Sequence, residues 1–292
     1  MTALTATSER LATASEEDGR NSKRDRVLEE LTAGIAELTT SERWQHFLDV
    51  QSRFHRYSFL NTLAIQLQRP DEATQVAGFH TWRRLGRRVR KGEKGIAILA
   101  PVVRRVRVED DNGDKHVLVG APTAFRVVHV FDVAQTDGEE LPSICERLEG
   151  DDVSGAYARL VKVAHSLGYT VEEDYLPDAR NGDCNFAEHR IRVEVRNSEA
   201  QQVKTLAHEI AHAMLHEGFQ DRALAELEAE SVAFVVCRAL GIESASYTFG
   251  YVAGWAGGGT EAIAAIKAAG ARIQRTADAI LSPADGSEER AA

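Results

Sequence analysis

Cysteine is scarce in this chain: Cys145, Cys184 and Cys237 are the only three in 292 residues, widely spaced and without a C-x-x-C pair. A disulfide framework or a thiolate metal site is thereby disfavoured, and each cysteine reads as a small buried hydrophobe. Long apolar runs are missing too. Nothing approaches the ~20 residues needed to span a bilayer, so no membrane partner is expected. The first 18 residues are rich in Ser, Thr, Ala and Glu and lack the basic-then-apolar layout of a secretion signal, so a cytoplasmic protein is the expectation. What is present is ordinary globular material, 43% hydrophobic and 27% charged, in enough length for two domains.

The formal net charge of −10 conceals an asymmetry. Residues 41–135 carry 16 Lys and Arg against 10 Asp and Glu, whereas residues 136–292 carry 14 against 27. Within 81–107 stand ten cations, from Arg83 to Arg107, and one acid, Glu93. The middle segment is a basic module inside an acidic protein.

Periodicity divides the chain further. Residues 1–22 are poor in large apolar side chains and read as a disordered tail. Val27, Leu28, Leu31, Ile35 and Leu38 have helical spacing. A second helix begins with Ser41 as cap and carries Trp44, Phe47 and Leu48; a third carries Leu60, Leu63, Ala64 and Leu67 and stops before Pro70. Gly78 to Leu85 predicts a short helix. Beyond Gly86, the apolar/basic alternation over Val102–Val108 predicts a strand, and Asp111-Asn112-Gly113-Asp114 a hairpin turn. The first domain is thus placed at 23–136 and an acidic linker at 137–152. The second domain, 153–281, is expected to hold helices over 153–167, 198–216, 222–240 and 260–281. Strands are expected at 169–172 and 190–195, a turn at Asn181-Gly182-Asp183, and a glycine-rich loop over 247–259. Residues 282–292 read as a loose tail. The fold class is α+β: N-terminal helices with an antiparallel sheet, then a mostly helical domain with a small sheet.

His208-Glu209-Ile210-Ala211-His212 lies inside the helical pattern of the second domain. Residues four apart share a helix face, so both imidazoles can present a nitrogen to one ion. Glu209, one position off, reaches a water beside that ion and is placed to act as general base. A purely structural site has no use for such a base. Zinc suits this donor set, and manganese or another divalent ion would fit as well. The following helix offers three carboxylates for a third ligand. Glu226 and Glu230 share a face; Glu228 points elsewhere and reads as solvated. Glu226 is favoured as ligand with Glu230 behind a ligand histidine, and the reverse assignment stays open. His216 continues the histidine stripe near the helix end and reads better as a packed or capping residue than as a ligand.

In the basic module, Phe54, Tyr57, Phe59, Phe79 and Trp82 interleave with the cations. Rings of this kind can stack on the bases of a single strand, and lysines and arginines neutralise phosphates. Taken singly, each ring reads better as core. The cation cluster as a whole reads better as a binding surface, since one acid among eleven charges is unusual on an idle face. Candidate contacts to single-stranded DNA are Tyr57, Asn61, Trp82, Arg83, Arg87, Arg90, Lys91 and Lys94.

The run His208-Glu-Ile-Ala-His212-Ala-Met-Leu-His216, followed by Glu226-Leu-Glu-Ala-Glu230-Ser-Val-Ala, resembles the zincin-like metallopeptidase domain of ArdC-type antirestriction proteins and, more distantly, IrrE/ImmA-type peptidases. Tyr57-Ser58-x-x-Asn61 and Val76-Ala-Gly-Phe79-x-x-Trp82-x-x-Leu85-Gly-Arg87-x-Val89-x-Lys91-Gly-Glu-Lys94-Gly resemble their N-terminal domain, and Phe131-Asp-Val-x-Gln135-Thr136 closes it in the same style. The resemblance implies single-stranded DNA binding by the first domain and a third metal ligand at Glu226. It implies a peptide or protein substrate and a role in shielding incoming plasmid or phage DNA. It also casts Arg190-Ile-Arg-Val-Glu as an edge strand able to hold a peptide by strand addition. Two other readings stay open. One is a non-enzymatic shield of single-stranded DNA with a structural metal site; the other is a regulatory peptidase acting on a repressor or stress factor. The Ala-rich C-terminal helix matches nothing in the resemblance.

Overall fold

The computed structural model describes residues 23–69, 73–109, 115–139, 153–177, 180–242 and 259–282. The expected tails at 1–22 and 283–292, the linker from 140 to 152, the Asp111–Asp114 turn and the loop over 247–258 lie outside the described residues. No helix among the described residues is long and apolar enough to cross a membrane. By packing, the chain forms two units. Among the described residues, one is formed from 23–33 and 67–139, the other from 34–66 and 153–282.

The break therefore does not follow the expected boundary. Helix α1 spans 23–37, α2 is Ser41–Arg53 and α3 is Phe59–Gln68. Most of these helices belong to the C-terminal unit, although the sequence groups them with the basic module. Their apolar faces are large and nearly dry, with Trp44, Phe47, Leu48, Phe59 and Leu63 all buried. Such faces must be covered, and helices later in the chain cover them. The cap of α2 also differs by one residue: Thr40 Oγ1, rather than Ser41, accepts the amide of Arg43 at 3.3 Å.

In the first unit, β1 (Val76–Gly78), β4 (Lys115–Asp132) and β3 (Ile96–Glu109) form an antiparallel sheet in the order β1-β4-β3. The β3–β4 ladder runs from Ile96↔Val130 to Glu109↔Lys115 and slips around Val103, which faces Pro122. Proline has no amide to donate there. Helix α4 (Phe79–Arg84) leads into β2 (Arg87–Val89). That strand pairs antiparallel with β5 (Thr136–Gly138), so the first residues of the expected linker are ladder. Asp132 fastens the corner. Its carboxylate accepts from the amides of Thr74 and Ala134, and the Asp132 amide donates to Gln135 Oε1 at 2.9 Å.

The second unit continues with α5 (Val153–Ser166), β6 (Thr170–Asp174), β7 (Gly182–Asn185) and β8 (Arg190–Glu194). Helices α6 (Glu199–Leu215), α7 (Arg222–Ala239) and α8 (Thr260–Leu281) follow. The sheet order is β6-β8-β7, with β6 parallel and β7 antiparallel to β8. Two expectations are corrected here. The segment 190–194 is the central strand and has no free edge. The expected turn at Asn181-Gly182-Asp183 instead opens β7, which is an edge strand. Arg192 holds it in place with a two-pronged bond to Asp183, at 3.0 and 2.6 Å. Packing then joins the N-terminal helices to α7 and α8. Trp44 Nε1 donates to Ser231 Oγ at 3.0 Å, Arg238 pairs with Asp49 at 2.7 Å, and Gln274 Nε2 donates to the His55 carbonyl at 2.8 Å.

Candidate functional site

Helix α6 starts at its Ser198 cap and is buried along Val203, Leu206, Ala207, Ile210 and Ala211. That apolar stripe fixes its rotation and turns His208 and His212 toward α7. Their Nε2 atoms lie 3.0 Å apart. Glu226 Oε2, from the first turns of α7, stands 3.4 Å from His208 Nε2 and 3.8 Å from His212 Nε2. Two donors at metal–ligand lengths of 2.0–2.1 Å around a tetrahedral ion would be about 3.4 Å apart. These three side chains form the one group of potential metal ligands found among the described residues. Their donor chemistry and spacing fit a divalent ion.

Glu230, one turn further along α7, sits behind His208. Its Oε2 is 3.3 Å from His208 Nδ1 and its Oε1 is 2.9 Å from Lys204 Nζ. Of the two carboxylates left open by the sequence, Glu226 is the one beside both Nε2 atoms. Electrostatics follow this layout. Burial works to lower the His208 pKa, but hydrogen bonds to Glu226 and Glu230 outweigh it and push it up to about 9. The Glu226 carboxyl is held well below its usual range by bonds from His208 and His212. Burial works against Glu230, yet His208 and Lys204 hold it below the usual range.

Glu209 follows His208 on α6 and is buried. Desolvation, with Glu226 and Asp183 nearby, pushes its carboxyl up to about 7. It lies against β7, where a Cβ built on Gly182 would stand 3.1 Å from Glu209 Oε1 and 2.5 Å from Thr205 Cγ2. The missing side chain lets the edge strand approach the carboxylate closely. Cys184 on the same strand has its thiol pushed up to about 12 by burial and by Glu209, so it is not a reactive thiolate. Cys237 is fully buried, and both are free thiols.

Glu228 overturns an expectation: it is completely buried rather than solvated. Arg272 of α8 donates to its Oε1, with Nε at 2.9 Å, and His216 Nε2 lies 3.2 Å from its Oε2. His216 caps α6, is itself buried, and places Nδ1 2.9 Å from His212 Nδ1. The sequence did not reveal this group because Arg272 comes from a helix 44 residues downstream of Glu228.

The basic module divides into fixed and exposed cations. Trp82 is 2% exposed, and its Nε1 donates to the Phe131 carbonyl at 2.8 Å, so its ring is core and cannot stack on a base. Arg87 donates to Thr136 Oγ1 at 2.7 Å and to the carbonyls of Thr136, Gly138 and Glu139; it is the clasp of the β2–β5 pair. Arg90 is likewise bonded to Glu93 and to the Ala134 carbonyl. Arg83, Lys91 and Lys94 are exposed, and with them Arg88, which the sequence counted in the cluster but not among the contacts. These four have no ion-pair partner among the described residues. Phe79 remains 44% exposed. Tyr57 is half-buried, edge-on to Phe54 at 6.2 Å, and Asn61 is half-buried in α3. Both belong to the second unit, so the expected contacts are divided between units.

Comparison with known proteins finds two domain families in order along the chain. Residues 18–131 match the N-terminal domain of the anti-restriction factor ArdC, and residues 164–238 match the IrrE N-terminal-like domain of the M78 peptidase class. An uncharacterized protein of Bacillus anthracis is 24% identical over 81% of this chain; the chain spans 46% of that protein's length. The metal-free crystal structure of antirestriction protein ArdC from plasmid R388 is 23% identical, with TM-score 0.48, over 77% of this chain and 84% of that one. Its Mn(II)-bound structure is 22% identical, with TM-score 0.44, over 80% and 95%. The chain thus carries an ArdC-type N-terminal domain followed by an IrrE-like peptidase-type domain.

Proposed function

We propose that this chain is a metal-dependent peptidase joined to a module for single-stranded DNA, and that it protects incoming plasmid or phage DNA. The observation that carries the peptidase reading is the convergence of His208, His212 and Glu226 next to a buried Glu209. A divalent ion held by the trio, zinc or manganese by donor type, would acidify a water to a pKa of about 7 and polarise a carbonyl. The chain's own residues do the rest. Glu209 takes a proton from the attacking water and returns it to the leaving amine. Its raised pKa before metal binding reflects a dry pocket, and a cation beside it would favour the carboxylate form. Edge strand β7 offers its backbone to an extended peptide alongside Glu209, a role that central β8 cannot fill.

The DNA reading is supported by Arg83, Arg88, Lys91 and Lys94, four exposed cations on one short stretch, with Phe79 as an exposed ring. Cations of this kind neutralise phosphates regardless of sequence, and an exposed ring stacks only on unpaired bases. The test of the enzyme is Glu209→Gln. It should bind Zn(II) or Mn(II) as the parent does and lose cleavage of fluorescein-labelled casein. Cleavage retained at the parent rate would remove the base from the mechanism. Metal uptake by the parent protein without any cleavage, and with DNA binding intact, would instead leave a shield with a structural metal.

A further inference from the structure

We propose that the C-terminal helix α8 is part of the metal centre: Arg272, acting through Glu228 and His216, is a positioning residue for His212. The inference rests on the metal reading above and extends it to a helix outside both matched domains, which end at residue 238.

One constraint fixes the direction of every bond in this chain of side chains. To ligate an ion through Nε2, neutral His212 must carry its proton on Nδ1. That N–H then donates to His216 Nδ1, 2.9 Å away. His216 accepts there, so its own proton sits on Nε2 and donates to Glu228 Oε2 at 3.2 Å. Glu228 is an acceptor on both oxygens, and Arg272 fills the other one. The polarity runs outward from the ligand without a conflict and ends on a cation. The second ligand has the same arrangement in a shorter form. His208 Nδ1 faces Glu230, and Glu230 is closed by Lys204. Each ligand histidine is thus backed by a carboxylate neutralised by one cation, which sets the tautomer and makes the ring a better donor.

Burial makes the chain costly to break. The Glu228 and His216 side chains are 1% and 3% exposed. A carboxylate so deep in the fold needs a full complement of donors, and without Arg272 it would be an uncompensated charge. An amide at 228 cannot replace it. Gln presents one oxygen and one NH2, whereas His216 and Arg272 both donate, so one of them always meets another donor. Arg272 also has more than one way to meet its partner, through Nε and through the terminal nitrogen.

The experiment measures Zn(II) affinity by competition with a chromophoric chelator, and the melting temperature of the metal-free protein, for four variants of the full chain. Glu228→Gln and Arg272→Gln should each weaken Zn(II) binding about 10- to 100-fold. Arg272→Lys, which keeps the cation, should recover most of that loss. Gln274→Ala removes a different α8 contact, the bond to the His55 carbonyl, and should lower the metal-free melting temperature while leaving Zn(II) affinity unchanged. If Glu228→Gln fails to fold, the half-exposed Arg272 still provides the test. Arg272→Gln within twofold of the parent would overturn the proposal, as would Gln274→Ala weakening Zn(II) binding equally. A parent protein that takes up no Zn(II) would instead remove the metal reading on which the proposal stands.

Discussion

Gly270→Ala separates helix propensity from packing. The glycine sits mid-helix in α8 among Ala268, Ala269 and Ala271, where alanine would favour the helix by about 1 kcal/mol. A Cβ there would stand 2.3 Å from Cδ2 and Cε2 of Phe59 and 3.0 Å from Cζ. Reaching ordinary contact needs a retreat of roughly 1 Å by one partner. Phe59 has nowhere to go, being 2% exposed and edge-on to Phe47 at 5.0 Å. Overpacking of this severity belongs at the upper end of the usual range of about 1–3 kcal/mol. Net of the propensity gain, a loss of ~2 kcal/mol is expected, and a fall in melting temperature of ~4–8 °C for a unit of this size. Thermal and urea unfolding of the metal-free protein measure it, in parent and Phe59→Leu backgrounds, where the smaller side chain should recover part of the loss. A gain in stability from Gly270→Ala would refute the packing of α8 on Phe59. A loss of equal size in both backgrounds would do the same. The outcome also decides whether Phe59 is core or an available stacking ring.

Trp82→Phe should cost about 1 kcal/mol through the lost bond to the Phe131 carbonyl and leave oligonucleotide affinity unchanged; a large loss of affinity in a folded variant would return Trp82 to the binding surface. Lys91→Gln with Lys94→Gln should flatten the dependence of log K on log salt by about 0.7 per residue on single-stranded DNA, read by fluorescence titration, whereas Arg87→Gln should chiefly destabilise the β2–β5 clasp. The Glu194 carboxyl is lowered to about 2 by hydrogen bonds from Arg196 and the Leu176 amide. A depressed carboxylate stabilises above its unfolded pKa, and that contribution is lost as pH falls from about 4.5 toward 2. Glu194→Gln should remove this part of the acid sensitivity; an acid-unfolding curve of unchanged shape would show that the pair contributes nothing.

Helix α6 was legible in the sequence because its information is local. A four-residue spacing puts His208 and His212 on one face wherever the helix goes, and Glu209 is carried with them. The same holds for the apolar/basic alternation over Val102–Val108, which falls within β3. Reading failed where a residue's partner is distant in sequence. Glu228 looked like a solvated acid on a helix, and only Arg272 and His216 make its burial affordable. Trp82 and Arg87 sat in a basic, aromatic stretch that reads as a binding surface. Yet the indole is spoken for by Phe131, and the guanidinium by the strand 49 residues on.

What the sequence determined by itself was the main helices, the placing of His208 and His212 on one helix face with Glu209 between them, and the charge contrast between the halves; each follows from periodicity or composition within a short window. What only tertiary structure decided was allegiance. It assigned α2 and most of α3 to the C-terminal unit, made β8 central and β7 the edge beside Glu209, and linked the C-terminal helix through Arg272, Glu228 and His216 to His212. Packing sets these outcomes because apolar faces and buried charges are satisfied by whichever element arrives opposite them, and chain order does not say which one that is.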